Sequence, residues 1–187
     1  MPSPYDRYRT HHRPRRLAGH DYAAAGWYFV TICTDGRRPL FGEVRGGVVG
    51  LSDVGCLAHT CWAAILDHAA GVRLDAFVVM PNHVHGLVRL APPPPAPPAT
   101  AAPPRVVGST PASAMSERSP AAGSLSAVVR SYKAAVTRAS RGVDPTFAWQ
   151  RRFHDHVVRT AAAFHRIRAY IEGNPTTWDQ DRLRLPK

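Results

Sequence analysis

The run HVHGLVRL at 83–90 opens with two histidines at alternate positions. In an extended strand, residues i and i+2 point to one face, so His83 and His85 share a face and Val84 takes the other. Their backbones lie about 7 Å apart, close enough for two imidazoles to converge on one metal ion. Pro81-Asn82 just before them reads as a turn, with Asn82 shaping it, and sets the pair near a sheet rim. The plainer reading is two polar residues on the solvated face of an edge strand. The apolar flanks argue against it, because they place the pair on a face that a helix would otherwise cover. Tyr132 is the second group. It lies on the apolar stripe of LSAVVRSYKAAVTRAS at 125–140, so it is either a core tyrosine or a side chain on the face that meets the histidines. A phenol has a pKa near ~10 and is a weak nucleophile alone. Beside a cation that polarises a phosphate, it could attack phosphorus and form a 5′-phosphotyrosine link. That link keeps the energy of the phosphodiester, so the strand could be rejoined without ATP.

The elements that must position these groups follow from periodicity. WYFVTICT at 27–34 is aromatic and β-branched, a strand, and Asp35-Gly36 is a turn signal. GVVGL at 47–51 is a short second strand. Ser52 or Asp53 caps a helix whose apolar positions Val54, Leu57, Cys61, Ile65 and Leu66 run on to Ala70, where Gly71 ends it. VRLDAFVVM at 72–80 and HVHGLVRL are a third and a fourth strand, close enough to form a hairpin. Ser124 caps a second helix reaching about Arg141, with Leu125, Val128, Val129, Tyr132 and Val136 on one stripe. FAWQRRFHDHVVRT at 147–160 mixes strand and loop. A third helix over 161–172 carries Phe164, Ile167, Arg168 and Ile171, and Gly173-Asn174-Pro175 stops it. This order predicts an α+β fold, a ferredoxin-like antiparallel sheet with helices packed on one face.

Two segments stand apart from that domain, which spans 21–187. Residues 1–20 form a basic arm in which Arg13, Arg15 and Arg16 follow interleaved tyrosines and histidines. It is either a solvated tail or a clamp on phosphates and bases. Residues from about 91 to 123 are rich in Pro and Ala, and read as an inserted linker because proline at that density cannot join a hydrogen-bond ladder.

The whole chain has 187 residues, a hydrophobic fraction of 44% and a formal charge of +11. The size suits one domain with a real core. The charge favours a polyanion, because neutralising phosphates releases counterions. Arg130, Lys133 and Arg138 on the second helix, and Arg151 and Arg152 beside Trp149, are the candidate contacts to DNA. No apolar run approaches the roughly 18 residues that span a bilayer, and none follows the N-terminal charge as in a secretory signal. A cytoplasmic protein without membrane contact is expected. Three cysteines do not make a disulfide framework. A zinc site on Cys56, His59, Cys61 and His68 lacks the tight Cys-x-x-Cys spacing, and free cysteine is a common small core residue.

AFVVMPNHVHGLV resembles the HUH segment of the IS200/IS605-like Y1 transposases, and more closely that of the REP-associated tyrosine transposases. RLAGHDYAAAGWYFVTICT, LSAVVRSYKAAVTR and WQRRFHDHVVRTAAAFHRIRAYIEGNPTTW resemble further segments in the same order. Together they span most of the chain outside the arm and the insertion. The His-hydrophobic-His motif alone is weakly specific, and the ordered set is strongly so. The resemblance implies that His83 and His85 bind Mg²⁺ or Mn²⁺, that Tyr132 lies where the catalytic tyrosine does, and that the substrate is single-stranded DNA at a palindromic hairpin. It implies a monomer, or a homodimer with swapped active sites. Family members also carry Gln or Asn about one turn after the tyrosine as a third ligand. Ala135, Val136 and Thr137 stand there instead, which leaves that ligand unassigned and keeps open a domesticated relative that binds DNA hairpins without cutting them. A general RNA-binding protein would need neither the metal nor the ordered motifs.

Overall fold

Gly26–Cys33 forms strand β1 of a computed structural model that describes residues 20–92, 120–121 and 123–185. The basic arm with Arg13, Arg15 and Arg16, and nearly all of the Pro/Ala-rich insertion, lie outside the described residues. β1 pairs antiparallel with β5 (His83–Leu90) on one side and β6 (His154–Val158) on the other. β4 (Val72–Met80) pairs antiparallel with β5, which gives the order β4-β5-β1-β6. Helix α1 (Asp53–Ala63) precedes β4, and helix α3 (Leu125–Ser140) precedes β6. Counting these strands and helices alone, the chain runs β-α-β-β-α-β in the ferredoxin-like order, and the fold is α+β as its patterning predicts.

Between β1 and α1 the chain departs from expectation. The second strand, β3 (Val48–Leu51), does not enter the main sheet but pairs with β2 (Gly42–Arg45) in a ribbon of its own. Gly46 and Gly47 join them with φ of 57° and 77°, the left-handed pair that a tight hairpin turn demands. The first helix also ends early, at Ala63, and a single turn, α2 (Ile65–His68), carries the chain to β4. Ser52 caps α1 by accepting from the Gly55 N–H at 3.1 Å, and Ser124 caps α3 through the Ala127 N–H at 3.3 Å.

The two faces of the sheet divide the core. On one face, Tyr28, Val30 and Ile32 of β1 and Val84 and Val88 of β5 pack under α1 and α3, against Val54, Ala58, Trp62, Leu125, Val129, Tyr132 and Val136. A bulge in β4 between Leu74 and Phe77 keeps Leu74, Phe77 and Val79 on this face despite the change of parity. Gly86 faces it too, and a Cβ there would overlap the Trp62 indole. On the other face, Trp27, Phe29, Val78, Leu87 and Val158 meet Phe164, Ile167 and Ile171 of helix α4 (Ala161–Gly173). Helices therefore cover both faces rather than one. The physical reason is that β1 and β5 are apolar on both sides, so helices on one face alone would leave Trp27, Phe29 and Leu87 in water. Among the described residues, no helix is long and apolar enough to cross a membrane.

Candidate active site

His83 and His85 project from the start of strand β5 onto the face covered by α4, with ring centroids 4.4 Å apart. Both are buried, at 0% and 2% exposure. The Asn82 side chain donates to the carbonyls of Arg37 (3.2 Å) and Leu183 (2.9 Å), which orients its amide oxygen to accept from His83 Nδ1 at 2.8 Å. His83 thus carries its proton on Nδ1, and its Nε2 lone pair is buried with no hydrogen-bond partner. His85 Nδ1 sits 2.9 Å from Thr31 Oγ1 on the neighbouring strand, which leaves its Nε2 facing the same space. Burial pushes the His83 pKa down to about 3, with the Arg37 charge adding to it. Burial, then His83 itself, holds His85 well below its usual range. Both rings are neutral near pH 7, as metal ligation requires.

Three residues from the chain's end complete the cluster. Tyr170 lies in the last turn of α4, 44% exposed, with its hydroxyl 3.3 Å from His85 Nε2. One turn later Asn174 opens a 3-10 segment, Asn174–Gln180, and is 1% exposed. Its Nδ2 donates to Asp181 Oδ2 at 3.0 Å, and its Oδ1 is buried without a partner. The Asn174 side chain acts on both His83 and Tyr170. Asp181 Oδ1 accepts from the Leu183 N–H at 2.6 Å. Ligand atoms of His83, His85 and Asp181 all lie within 4.8 Å of one another. Burial and the Asp181 charge raise the Tyr170 pKa, while Arg182 and Asn174 pull it down.

The structure does not bring Tyr132 to the histidines. Tyr132 lies on the opposite face of the sheet, 2% exposed, donating to the Ala58 carbonyl at 3.2 Å and edge-on to Trp62 at 5.1 Å. Burial raises its pKa well above 10. The expectation that the face carrying Tyr132 meets the histidines is corrected on that ground. The α3 stripe packs on the side of the sheet to which Val84 points, so the alternation that pairs His83 with His85 also separates both from α3. The signal that locates Tyr170 was present: Tyr170 and Asn174 form Tyr-x-x-x-Asn, the carboxamide one turn after the tyrosine that Tyr132 lacks.

The expected DNA contacts divide. Lys133 is committed to structure, its Nζ donating to the carbonyls of Gln150 (2.6 Å) and Arg151 (3.3 Å), with burial lowering its pKa to about 8. Arg130 and Arg138 are exposed on α3, across the sheet from the histidines. Arg151 and Arg152 are exposed and lead into β6, where His154 and His156 stand opposite Thr31 and Phe29 and so share the histidine face. Among the described residues, Cys56 and Cys61 are free thiols and join no metal-ligand cluster. Arg37 and Asp181, like the roles of Thr31 and Asn82, carried no motif that marked them in advance.

No family model matches the chain. Among solved structures, a REP-associated tyrosine transposase bound to a REP hairpin is similar with a TM-score of 0.57 at 18% identity, over 89% of this chain and 76% of that one. The fold is that of the REP-associated tyrosine transposase. An uncharacterized protein of Haemophilus influenzae is 32% identical over 189 residues, covering 98% of each chain. This chain belongs to the same family as that protein.

Proposed function

We propose that the chain binds single-stranded DNA at palindromic hairpins and cuts and rejoins the strand through Tyr170, with Mg²⁺ or Mn²⁺ held by His83, His85 and Asn174. The observation that carries this reading is a pair of orphaned buried atoms, His83 Nε2 and Asn174 Oδ1, beside a half-exposed tyrosine. Buried polar atoms without partners are costly, and two aimed at one cluster fit a missing cation. The amide oxygen suits Mg²⁺ or Mn²⁺, and the two neutral imidazoles, ordinarily ligands of softer divalent ions, favour Mn²⁺ of the two. When bound, such an ion polarises the scissile phosphate and offsets charge developing on it.

The protein's own groups supply the rest. Asn82 and Thr31 fix the two imidazoles by their Nδ1 atoms, so that both Nε2 atoms face the site. Tyr170 Oη would give up its proton and form the new O–P bond as the bond to the 3′ oxygen breaks, and the departing 3′ oxygen would take up a proton in exchange. Attack by a 3′ hydroxyl reverses the step, restores the phosphodiester and frees Tyr170. The transposase bound to a REP hairpin supports a hairpin substrate by its shared fold. The carboxamide missing after Tyr132 was the ground for a non-catalytic relative, and Asn174 supplies it after Tyr170.

The test is incubation with end-labelled hairpin DNA in Mn²⁺, followed by a denaturing gel. A covalent adduct is expected, lost in Tyr170→Phe and His83→Ala and retained in Tyr132→Phe. Tight metal-independent binding without any adduct would assign the chain as a DNA-hairpin-binding protein instead.

A further inference from the structure

Asp181 stands close enough to His83 and His85 to pass for a third metal ligand, yet its hydrogen bonds assign it another task. Each of its oxygens already has a donor: Oδ1 takes the Leu183 N–H at 2.6 Å and Oδ2 takes Asn174 Nδ2 at 3.0 Å. Asn174 Oδ1, by contrast, is buried and has none. An amide side chain has two ends of nearly equal shape and opposite chemistry: the oxygen accepts or ligates, and the NH₂ can only donate. Which end faces the histidines is decided by what holds the other end. Here a carboxylate, itself anchored by the Leu183 backbone, holds the NH₂.

We infer that Asp181 is a positioning residue that locks the Asn174 amide with its oxygen turned to the cation site, and that it is not itself a ligand. The inference rests on the metal reading proposed above. Asp181→Asn tests it with little change of shape. A carboxamide has one acceptor oxygen where the carboxylate has two, so it cannot serve both Leu183 N and Asn174 Nδ2. With its oxygen kept by the backbone N–H, its NH₂ confronts the NH₂ of Asn174. The Asn174 amide then turns over to restore a donor–acceptor pair, and presents a donor to the cation. Partners that orient a metal ligand typically contribute about 10–100-fold in affinity.

The experiment is Mn²⁺ titration of the full chain without DNA, following free Mn²⁺ by electron paramagnetic resonance. The proteins compared are the wild type, His83→Ala, Asn174→Ala, Asp181→Asn and the Asn174→Ala/Asp181→Asn double variant, with thermal unfolding of each metal-free protein as the folding control. Asp181→Asn is expected to bind Mn²⁺ about 10–100-fold more weakly, and the double variant no more weakly than Asn174→Ala alone, because Asp181 acts only through Asn174. Wild-type affinity in Asp181→Asn overturns the inference. So does a double variant that loses a further factor beyond Asn174→Ala, which would make Asp181 a ligand in its own right. If the wild type takes up no Mn²⁺, or His83→Ala binds as tightly as the wild type, the metal reading itself fails and the inference falls with it.

Discussion

At the scale of the residue, the histidine pair was legible because strand alternation is a strict rule: once HVHGLVRL is a strand, His83 and His85 must share a face. The same rule, carried one step further, separates them from Tyr132, whose stripe packs against Val84. Tyr170 was hidden for a different reason. Its neighbour Asn174 falls in Gly-Asn-Pro, which reads as a helix stop, so a carboxamide of the buried cluster carried the signature of a terminator. The burial of the histidines has a consequence for pH. Their folded pKa values are depressed, His83 to about 3. The unfolded chain therefore binds more protons between about pH 3 and pH 6.5. Their contribution to stability is fully present above about pH 6.5 and is lost as pH falls toward 3. Metal-free protein should thus lose on the order of 1 kcal/mol for each pH unit below 6.5 through His83 alone, with His85 adding in the same direction. Urea unfolding at pH 7, 6 and 5 checks this, and His83→Gln should flatten the trend. A stability that holds or rises on acidification would mean the imidazoles are not buried neutral.

At the scale of the element, long periodic segments were readable and short ones were not. β1, β4, β5, α3 and α4 carry enough aromatic, β-branched or stripe-forming residues to declare themselves. β2, with sequence GEVR, shows almost no apolar pattern, so the ribbon it makes with β3 could not be seen from the sequence. That α4 takes the second face was implicit in the two-sided apolar character of β1 and β5. Close packing across the first face gives a sharp test at Gly86, which lies one residue beyond His85 and directly under Trp62. Gly86→Ala must displace the indole, which also stacks on Phe77 and meets Tyr132 edge-on. A cost of about 1–3 kcal/mol is expected from overpacking of this kind, measured as a shift of the urea midpoint at constant slope. An unchanged midpoint would show that Trp62 does not press on β5.

At the scale of the whole molecule, the formal charge of +11 and the placement of the histidine cluster on one of two helix-covered faces bear on how the proposed DNA substrate would be held. Salt dependence counts the phosphates neutralised, at a slope of about −0.7 per contact for single strands. Replacing Arg151 or Arg152 by Ala should weaken hairpin binding and flatten that slope by roughly one contact's share. Lys133→Ala should leave the slope unchanged and lower stability instead, because its ammonium already serves two backbone carbonyls. A Lys133 variant with a reduced slope would return that residue to the DNA. The central claim, that Tyr170 rather than Tyr132 takes the strand, is tested most directly by mass spectrometry of the protease-digested protein–DNA adduct formed in Mn²⁺. The account predicts a nucleotide-bearing peptide containing Tyr170 and an unmodified peptide containing Tyr132. A nucleotide on Tyr132, or on any residue but Tyr170, would contradict it.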